Sequence, residues 1–355
     1  MQLMRSYEAR RTGAALGRIV FVGAVHEAAP ALAAVLRSEA EVAAVFTLTP
    51  RLAAKTSGAV DLEPLARPFG VSVLRTENLN AAENVERVRV LCPDLIVVVG
   101  WTRLLGPEIL VIPPLGCVGF HASLLPHGRG RAPVNWAILR GETVTGNTLM
   151  YLAPEADAGD IIDQRSIPIE SDDTCGTVYA KVAAAGAEML ALHLPALLRG
   201  TAPRRPQAKR VGELLPRRTP EMGITDWNRP ARAVHDWIRA LTHPYPGAFT
   251  FCEGRKLFLW RSDPPGPRGP IGEPGVILGA DGEAVRVSAC DGSIRVTHVQ
   301  EDGSPEESGA SWWRRRGWAG GRFDPVDKAL ARRALGLDSP AAGEVRRSCG
   351  GEANR

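Results

Sequence analysis

Apolar residues in the first two hundred positions form short runs separated by stretches of helical pattern. The runs Arg18–Gly23 and Asp94–Gly100 are apolar without alternation, which is typical of strands covered on both faces. Further strands are predicted at 42–47, 71–74 and 115–121, with helices through residue 37 and at 81–91. Strands that alternate with helices predict an α/β fold with a doubly wound, mostly parallel sheet. Ligands of such a sheet lie beyond the carboxyl ends of its strands.

The second half of the chain has a different pattern. A long amphipathic helix is predicted at Thr174–Leu198, and the proline-rich segment Gly200–Pro206 reads as a linker. The β runs at 249–260, 275–278, 284–289 and 294–299 are short and are punctuated by Asp-Gly and Glu-Gly pairs, which predicts a small C-terminal β-barrel of OB-like type. The predicted boundaries are a disordered leader at 1–17, a first domain at 18–205, the barrel at 206–308 and a partly disordered tail at 309–355.

Composition argues against several classes of protein. No apolar run approaches the ~20 residues needed to cross a bilayer, so no membrane association is expected. The basic N-terminus lacks the apolar segment of a secretory signal, and we expect a cytoplasmic protein. The six cysteines are scattered, so neither a disulfide nor a metal site is indicated. Gly23 is not followed by the G-x-G-x-x-G pattern of a dinucleotide site. The net charge of +4 does not by itself indicate a nucleic-acid partner.

The residues most suited to chemistry lie at two predicted strand ends. His121 stands where a strand gives way to a loop rich in proline and glycine, and an acidic turn, Glu155–Asp160, follows before another β run. A carboxylate and an imidazole are therefore both available at the edge where this fold binds ligands. Histidine can donate or accept a proton near neutral pH.

The spacing of residues around His121 resembles a known signature. The patterns H-x-S-L-L-P-x-x-R-G-x-x-P-x-x-W, G-E-x-x-T-G and D-x-G-D-I are similar to those of 10-formyltetrahydrofolate-dependent formyltransferases. They are carried here by His121, Ser123, Leu124, Leu125, Pro126, Arg129, Gly130, Pro133, Trp136, Gly141, Glu142, Thr145, Gly146, Asp157, Gly159, Asp160 and Ile161. Segments 218–220, 226–227, 239–240 and 244–249 resemble the start of the family's C-terminal domain. The resemblance implies an N-formyltransferase that moves the formyl group of 10-formyltetrahydrofolate to a primary amine.

The resemblance also implies roles for individual residues. His121 would donate to the developing oxyanion or assist proton removal, with Asp157 setting its charge and relaying the proton. Ser123, Arg129 and Gly130 would lie at the substrate, although Arg129 fits two roles, holding an anion or bracing the Asp157 turn. Ser123 fits a hydrogen bond to the loop backbone better than a nucleophile. The folate is expected at Trp101, Arg103, Leu104, Leu105, Phe120 and Asp157.

Gly119 departs from the family pattern. Most members have asparagine two residues before the histidine, and its side chain donates to the formyl oxygen. Loss of one such donor typically costs ~10²–10³ in rate unless another group replaces it. Gly119 therefore leaves open a protein that binds folate but has lost turnover, although the retained His121 and Asp157 favour an active enzyme.

The loop Thr47–Leu62 bears on the acceptor. It carries only Arg51 and Lys55 as basic residues. Its motif K-x-S-G-x-V-D-L resembles that of family members that formylate small amines, notably nucleotide-linked amino sugars. Binding to tRNA phosphates favours a denser basic patch. We therefore expect a small-molecule amine substrate and no tRNA partner. Methionyl-tRNA formyltransferase is the alternative, favoured by the basic cluster Arg204, Arg205, Lys209, Arg210, Arg217 and Arg218. A homodimer is compatible with the sequence but is not required by it.

Overall fold

The computed structural model describes residues 16–208, 214–266, 272–317 and 321–327. These residues separate into two compact units. The first unit holds residues 16–129, 144–168 and 177–208, and the second holds 130–143, 169–176 and the described residues from 214 onward. Residues 1–15 of the predicted leader and residues 328–355 of the predicted tail lie outside the described part of the chain.

A seven-stranded sheet forms the centre of the first unit, with strand order β3-β2-β1-β4-β5-β6-β7. Strands β1 to β5 are parallel, whereas β6 is antiparallel to both β5 and β7. The strands are β1 (Arg18–Gly23), β2 (Glu41–Leu48), β3 (Val73–Thr76), β4 (Leu95–Val99), β5 (Cys117–His121), β6 (Val144–Tyr151) and β7 (Ile161–Pro168). The predicted fold class, a mostly parallel α/β sheet, is confirmed.

The helices come mainly from the connections between these strands. They are α1 (Ala28–Leu36), α2 (Pro50–Ala53), α3 (Glu63–Ala66), α4 (Ala82–Leu91), α5 (Pro107–Leu110), α6 (Pro133–Leu139) and α7 (Cys175–Leu198). α7 is long and apolar enough to cross a bilayer by length and composition alone. Its Met189, Leu190 and Leu194 instead pack in the core beneath the sheet.

Each face of the sheet has its own apolar core. One core joins Phe21, Val97 and Val118 to residues of α1 and α7, and we call this the α1/α7 face. The other joins Val22, Val98 and Cys117 to residues of α4 and α5. Because successive side chains of a strand point to opposite faces, β5 directs Val118 and Phe120 to the α1/α7 face and Cys117, Gly119 and His121 to the other. This alternation separates the functional residues described below.

The second unit contains an antiparallel sheet of six strands, ordered β10-β11-β12-β9-β8 with β13 paired to β12. Its elements are α8 (Ala231–Leu241), β8 (Ala248–Cys252), β9 (Arg255–Ser262), β10 (Ile277–Asp281), β11 (Ala284–Ser288), β12 (Ser293–Glu301), β13 (Glu307–Ser308) and α9 (Gly309–Arg316). An antiparallel β domain after the α/β sheet agrees with the predicted fold class.

Two features of the second unit differ from the boundaries drawn from the sequence. α9 follows residue 308 directly, and its Trp312 is only 1% exposed, so ordered structure continues into the predicted tail. Residues 130–143 belong to this unit although they lie inside the predicted first domain. The amide of Asn135 in α6 explains this, because its Nδ2 donates to the carbonyl oxygen of Ala240 in α8 at 2.7 Å.

Candidate active site

His121 and Asp157 come together at the carboxyl end of β5. His121 is the last residue of the strand and is buried. Asp157 lies in the turn between β6 and β7 with a positive φ of 53°. A Cβ on Gly159 would overlap the carbonyl oxygen of Tyr151, so this tight turn requires glycine there. The resulting geometry places Asp157 Oδ1 3.4 Å from His121 Nδ1.

The two ring nitrogens of His121 have different neighbours. Nε2 lies 2.7 Å from the carbonyl oxygen of Gly128. A carbonyl oxygen only accepts hydrogen bonds, so Nε2 carries a hydrogen and donates it. Nδ1 lies 3.4 Å from Oδ1 of the Asp157 carboxylate. The imidazole can therefore offer its Nε2 hydrogen to an oxyanion in place of the Gly128 carbonyl, and the Asp157 carboxylate can accept a proton.

A second set of hydrogen bonds braces the Asp157 turn. Nη2 of Arg129 donates to Oε1 of Gln207 at 2.9 Å. Nε2 of Gln207 in turn donates to the carbonyl oxygens of Asp157 and Gly159, at 3.0 and 2.7 Å. Of the two roles considered for Arg129, the structure shows the bracing one. Gln207 had no signal in the sequence, because a single glutamine in a linker matches no pattern.

Replacing Gln207 with alanine is expected to lower kcat/KM about tenfold, less than the loss of a group that contacts the reacting atoms. The reason is that the turn carrying Asp157 loses two of its donors while the carboxylate itself remains. Steady-state kinetics with both substrates measures the effect, and Gln300→Ala, which removes an amide on β12 of the second unit, serves as the matched control. Unchanged kinetics for the Gln207 variant would show that the turn holds its position without this brace.

Ser123 and Gly130 have structural contacts. The hydroxyl of Ser123 donates to the carbonyl oxygen of His127 at 2.7 Å, as the sequence reading favoured. Gly130, in the second unit, has a φ of +109°, and a Cβ there would lie 2.5 Å from both the nitrogen and the oxygen of Leu215. Only glycine fits this approach. Among the described residues, neither the Ser123 hydrogen bond nor the approach of Gly130 to Leu215 involves the side chain of His121 or Asp157.

Gly119 is enclosed on the His121 face of the sheet. A Cβ at this position would lie 2.8 Å from the carbonyl oxygen of Val98 and 3.0 Å from Cδ2 of Leu152. Leu152 packs against the core on this face and against a small cluster around Leu125 and Met150. The space that an asparagine side chain would occupy is therefore taken by Leu152, a residue that the sequence did not single out.

The residues expected at the folate divide between the two faces. Trp101 and Leu105 lie with the core on the His121 face, whereas Phe120 points to the α1/α7 face. Leu104 is 60% exposed, and the guanidinium of Arg103 donates to the carbonyl oxygen of Glu77. Trp101 and Leu105 thus lie on the same face of the sheet as His121, whereas Phe120 lies on the other face.

The partly buried indole of Trp101 suits a folate. Its Nε1 is buried and has no hydrogen-bond partner among the described residues. A buried donor without a partner is costly, and a pterin ring offers acceptor nitrogens and an oxygen that would satisfy it. Trp101 and Leu105 would hold the ring, and the bound 10-formyltetrahydrofolate supplies the activated formyl carbon that the amine attacks.

Comparisons with known proteins identify the family. A formyl transferase family model matches residues 17–194, and the model of the formyl transferase C-terminal domain matches residues 217–317. Together these matches cover most of the chain, which therefore belongs to the formyltransferase family. It is an enzyme of folate-dependent formyl transfer with 10-formyltetrahydrofolate as its cofactor, as the sequence predicted.

Individual relatives differ in their identity to this chain and in the length over which they match it. A methionyl-tRNA formyltransferase of Ruminiclostridium cellulolyticum is 35% identical over 292 residues, covering 81% of this chain and 93% of the relative. HypX from Aquifex aeolicus in complex with tetrahydrofolic acid has a TM-score of 0.63 at 22% identity, covering 88% of this chain and 49% of HypX. WlaRD, a sugar 3N-formyl transferase, has a TM-score of 0.59 at 16% identity, covering 81% and 98%. The two structural likenesses show the fold alone.

The expectation of no tRNA partner is wrong, because relatives that match across both domains act on methionyl-tRNA. That expectation rested on the small number of basic residues in Thr47–Leu62. Basic residues anywhere on a protein surface can neutralise the phosphates of a large ligand. The number of basic residues in one loop therefore does not limit how many phosphates the protein contacts. Arg204, Arg205 and Arg217 are exposed.

Proposed function

We propose that this enzyme transfers the formyl group of 10-formyltetrahydrofolate to the α-amine of methionyl-tRNA. The observation that carries the proposal is the 35% identity to a methionyl-tRNA formyltransferase over 93% of that protein's length. Such coverage includes both the α/β unit and the C-terminal unit. The likeness to a sugar N-formyltransferase at 16% identity supports the fold but not an amino-sugar acceptor.

The site fits this reaction. Attack of an uncharged amine on a formyl carbon produces an oxyanion and a nitrogen that must lose a proton. His121 Nε2 carries the hydrogen that meets an oxyanion, and the Asp157 carboxylate takes up the proton that the nitrogen loses. Neither step requires an acyl-enzyme, which agrees with the Ser123 hydroxyl being committed to a loop carbonyl.

The basic residues near the linker do not all serve the same purpose. Arg218 packs against the rings of Trp136 and Trp237, 4.8 and 5.0 Å from their centroids. Burial lowers the pKa of its guanidinium to about 10, and its Nη2 donates to the carbonyl oxygen of Met222. Because it is packed against two rings, Arg218 is poorly placed to contact a phosphate. Arg204 and Arg205 remain exposed and are the better candidates for contact with phosphates.

The decisive experiment compares acceptors with the purified enzyme and 10-formyltetrahydrofolate. We expect methionyl-tRNA to be formylated with a kcat/KM at least about 100-fold above that of nucleotide-linked amino sugars. The rate at low tRNA concentration should fall steeply between 50 and 200 mM salt, since phosphate contacts release counterions. Arg204→Ala combined with Arg205→Ala should reduce this salt dependence, and Arg67→Ala, at another exposed arginine, is the control. Preferential formylation of an amino sugar would overturn the proposal.

We also propose a cytoplasmic location. Among the described cysteines, Cys117, Cys175 and Cys252 are buried free thiols. Burial raises the pKa of each thiol to about 12, which keeps it protonated and inert. Free thiols without disulfides are typical of a reducing compartment.

A further inference from the structure

A cleft lies on the α1/α7 face of the sheet, at the carboxyl ends of β1, β4 and β5. It encloses about 350 Å³, part of which is open to solvent. Its lining includes Glu27, Gly100, Phe120, Ala122, Asn147 and Gly186. Phe120 and Ala122 are the two chain neighbours of His121, so the cleft opens beside the catalytic histidine but on the opposite face of the sheet.

Asn147 lies in the lining of this cleft, and its side chain carries a hydrogen-bond acceptor that has no partner among the described residues. Its side chain is buried, and Nδ2 donates to the carbonyl oxygen of Val182 at 2.9 Å. This contact fixes the orientation of the amide, because the reversed orientation would place two oxygens together. Oδ1 is then buried and has no hydrogen-bond partner among the described residues. A buried acceptor in this state favours any ligand that brings a donor.

Gly186 keeps space open beside Asn147. A Cβ at this position of α7 would lie 2.9 Å from Nδ2 of Asn147 and 3.6 Å from Cε1 of Phe120. Any larger residue would push the amide out of place or fill the cleft. Glycine in the middle of a helix is unfavourable by itself, so this one is explained by the space that it leaves.

Glu27 supplies a second polar side chain to the lining of the cleft. It precedes α1, and its carboxylate therefore lies at the N-terminal end of a helix, where an anionic ligand would otherwise be favoured. Burial raises the pKa of this carboxyl, and a hydrogen bond from its own backbone opposes the shift. Among the described residues, the lining of the cleft contains no lysine or arginine. An anion entering the cleft would thus meet no compensating cation.

We infer that Glu27 and Asn147 form the subsite for a hydroxyl-bearing, non-anionic part of the acceptor, which is the terminal ribose when the acceptor is an aminoacyl-tRNA. This inference rests on the proposed function and deepens it. The amine that is formylated is separated from that ribose by a single aminoacyl ester, so a ribose in the cleft keeps the amine near His121. The ribose hydroxyls donate to Glu27 and to Asn147 Oδ1, whereas the thioether of a methionine side chain has no hydrogen to donate.

Equilibrium binding tests the subsite without turnover. The probes are adenosine, 2′-deoxyadenosine and adenosine 2′-phosphate, measured by calorimetry on the full chain in the presence of tetrahydrofolate. We expect the 2′-deoxy compound to bind at least about tenfold more weakly than adenosine, which corresponds to the loss of one hydrogen bond to a charged group. The 2′-phosphate should bind more weakly still. Equal binding of all three, or preference for the phosphate, would overturn the inference.

Variants then assign the effect to the two residues. Glu27→Gln and Asn147→Leu should each weaken adenosine binding about tenfold or more and reduce the difference between adenosine and its 2′-deoxy form. Asn147→Leu removes the buried acceptor and also the Nδ2 donation to Val182, so Tm is measured for each variant to separate loss of binding from loss of structure. Glu108→Gln, a glutamate in the first turn of α5, is the matched control and should bind adenosine normally. Normal discrimination in both cleft variants would contradict the inference.

Kinetics separates this inference from the proposed function. If methionyl-tRNA is a good substrate whose KM is unchanged by Glu27→Gln and Asn147→Leu, the subsite is refuted and the proposed function stands. If methionyl-tRNA is not formylated but adenosine still binds in a manner that depends on both residues, the proposed function fails and the subsite belongs to another ribose-bearing acceptor.

Discussion

Replacement of His121 by alanine is expected to lower kcat/KM for formyl transfer by about 100-fold or more. The variant loses the Nε2 hydrogen that meets the oxyanion and the ring that lies beside the Asp157 carboxylate. Asp157→Ala should have an effect of similar size, because it removes the group 3.4 Å from Nδ1 that takes up the proton. The double variant should be little worse than either single one, since residues that act as a unit are not additive.

The chain offers a matched control for this pair. His193 of α7 and Asp163 of β7 form another histidine–aspartate contact in the same unit, with Nε2 and Oδ2 3.0 Å apart. His193→Ala and Asp163→Ala should leave kcat/KM within about threefold of the parent. Melting temperature and tetrahydrofolate binding, measured for all four variants, separate loss of chemistry from loss of structure. Near-normal turnover of His121→Ala would remove this histidine from the mechanism.

Much of the fold followed from local patterns. The runs Arg18–Gly23 and Asp94–Gly100 became β1 and β4, because strands covered on both faces need apolar side chains at every position. The boundary of the first unit was harder to predict. α6 and residues 169–176 belong to the second unit through long-range contacts, such as Nη1 of Arg239 donating to the carbonyl oxygen of Asp173 at 2.7 Å. No pattern near residue 173 reveals that partner.

The candidate site was predictable where it depends on spacing and not where it depends on packing. His121 and Asp157 stand within a recognisable signature, and the structure brings them together. Gln207, Glu27 and Asn147 match no motif. Each acquires its importance from a neighbour distant in the chain, as Gln207 does from the turn at Asp157. The sequence also did not reveal why position 119 is a glycine. Leu152, which occupies the neighbouring space, lies in a different strand connection.

Introducing the family's usual asparagine at Gly119 is expected to harm the enzyme and not to improve it. The new Cβ would lie 2.8 Å from the Val98 carbonyl oxygen and 3.0 Å from Leu152 Cδ2. A backbone carbonyl in the centre of a sheet cannot move far, so we expect Gly119→Asn to lose about 1–3 kcal/mol of stability, as overpacked core variants do. Thermal unfolding measures this loss, and kcat/KM should fall with it because the end of β5 carries His121.

Leu152→Ala shows whether Leu152 is the reason for glycine at position 119. In the double variant, Leu152→Ala with Gly119→Asn, one of the two collisions is relieved, so the stability losses should couple favourably by at least about 0.5 kcal/mol. Gly292→Ala is the control, since a Cβ there meets no atom within 4 Å and should be close to neutral. Strictly additive losses would show that the Val98 carbonyl alone excludes a side chain. A stable, faster Gly119→Asn enzyme would show that the space beside His121 accepts an amide donor after all, and that Leu152 does not determine the residue at this position.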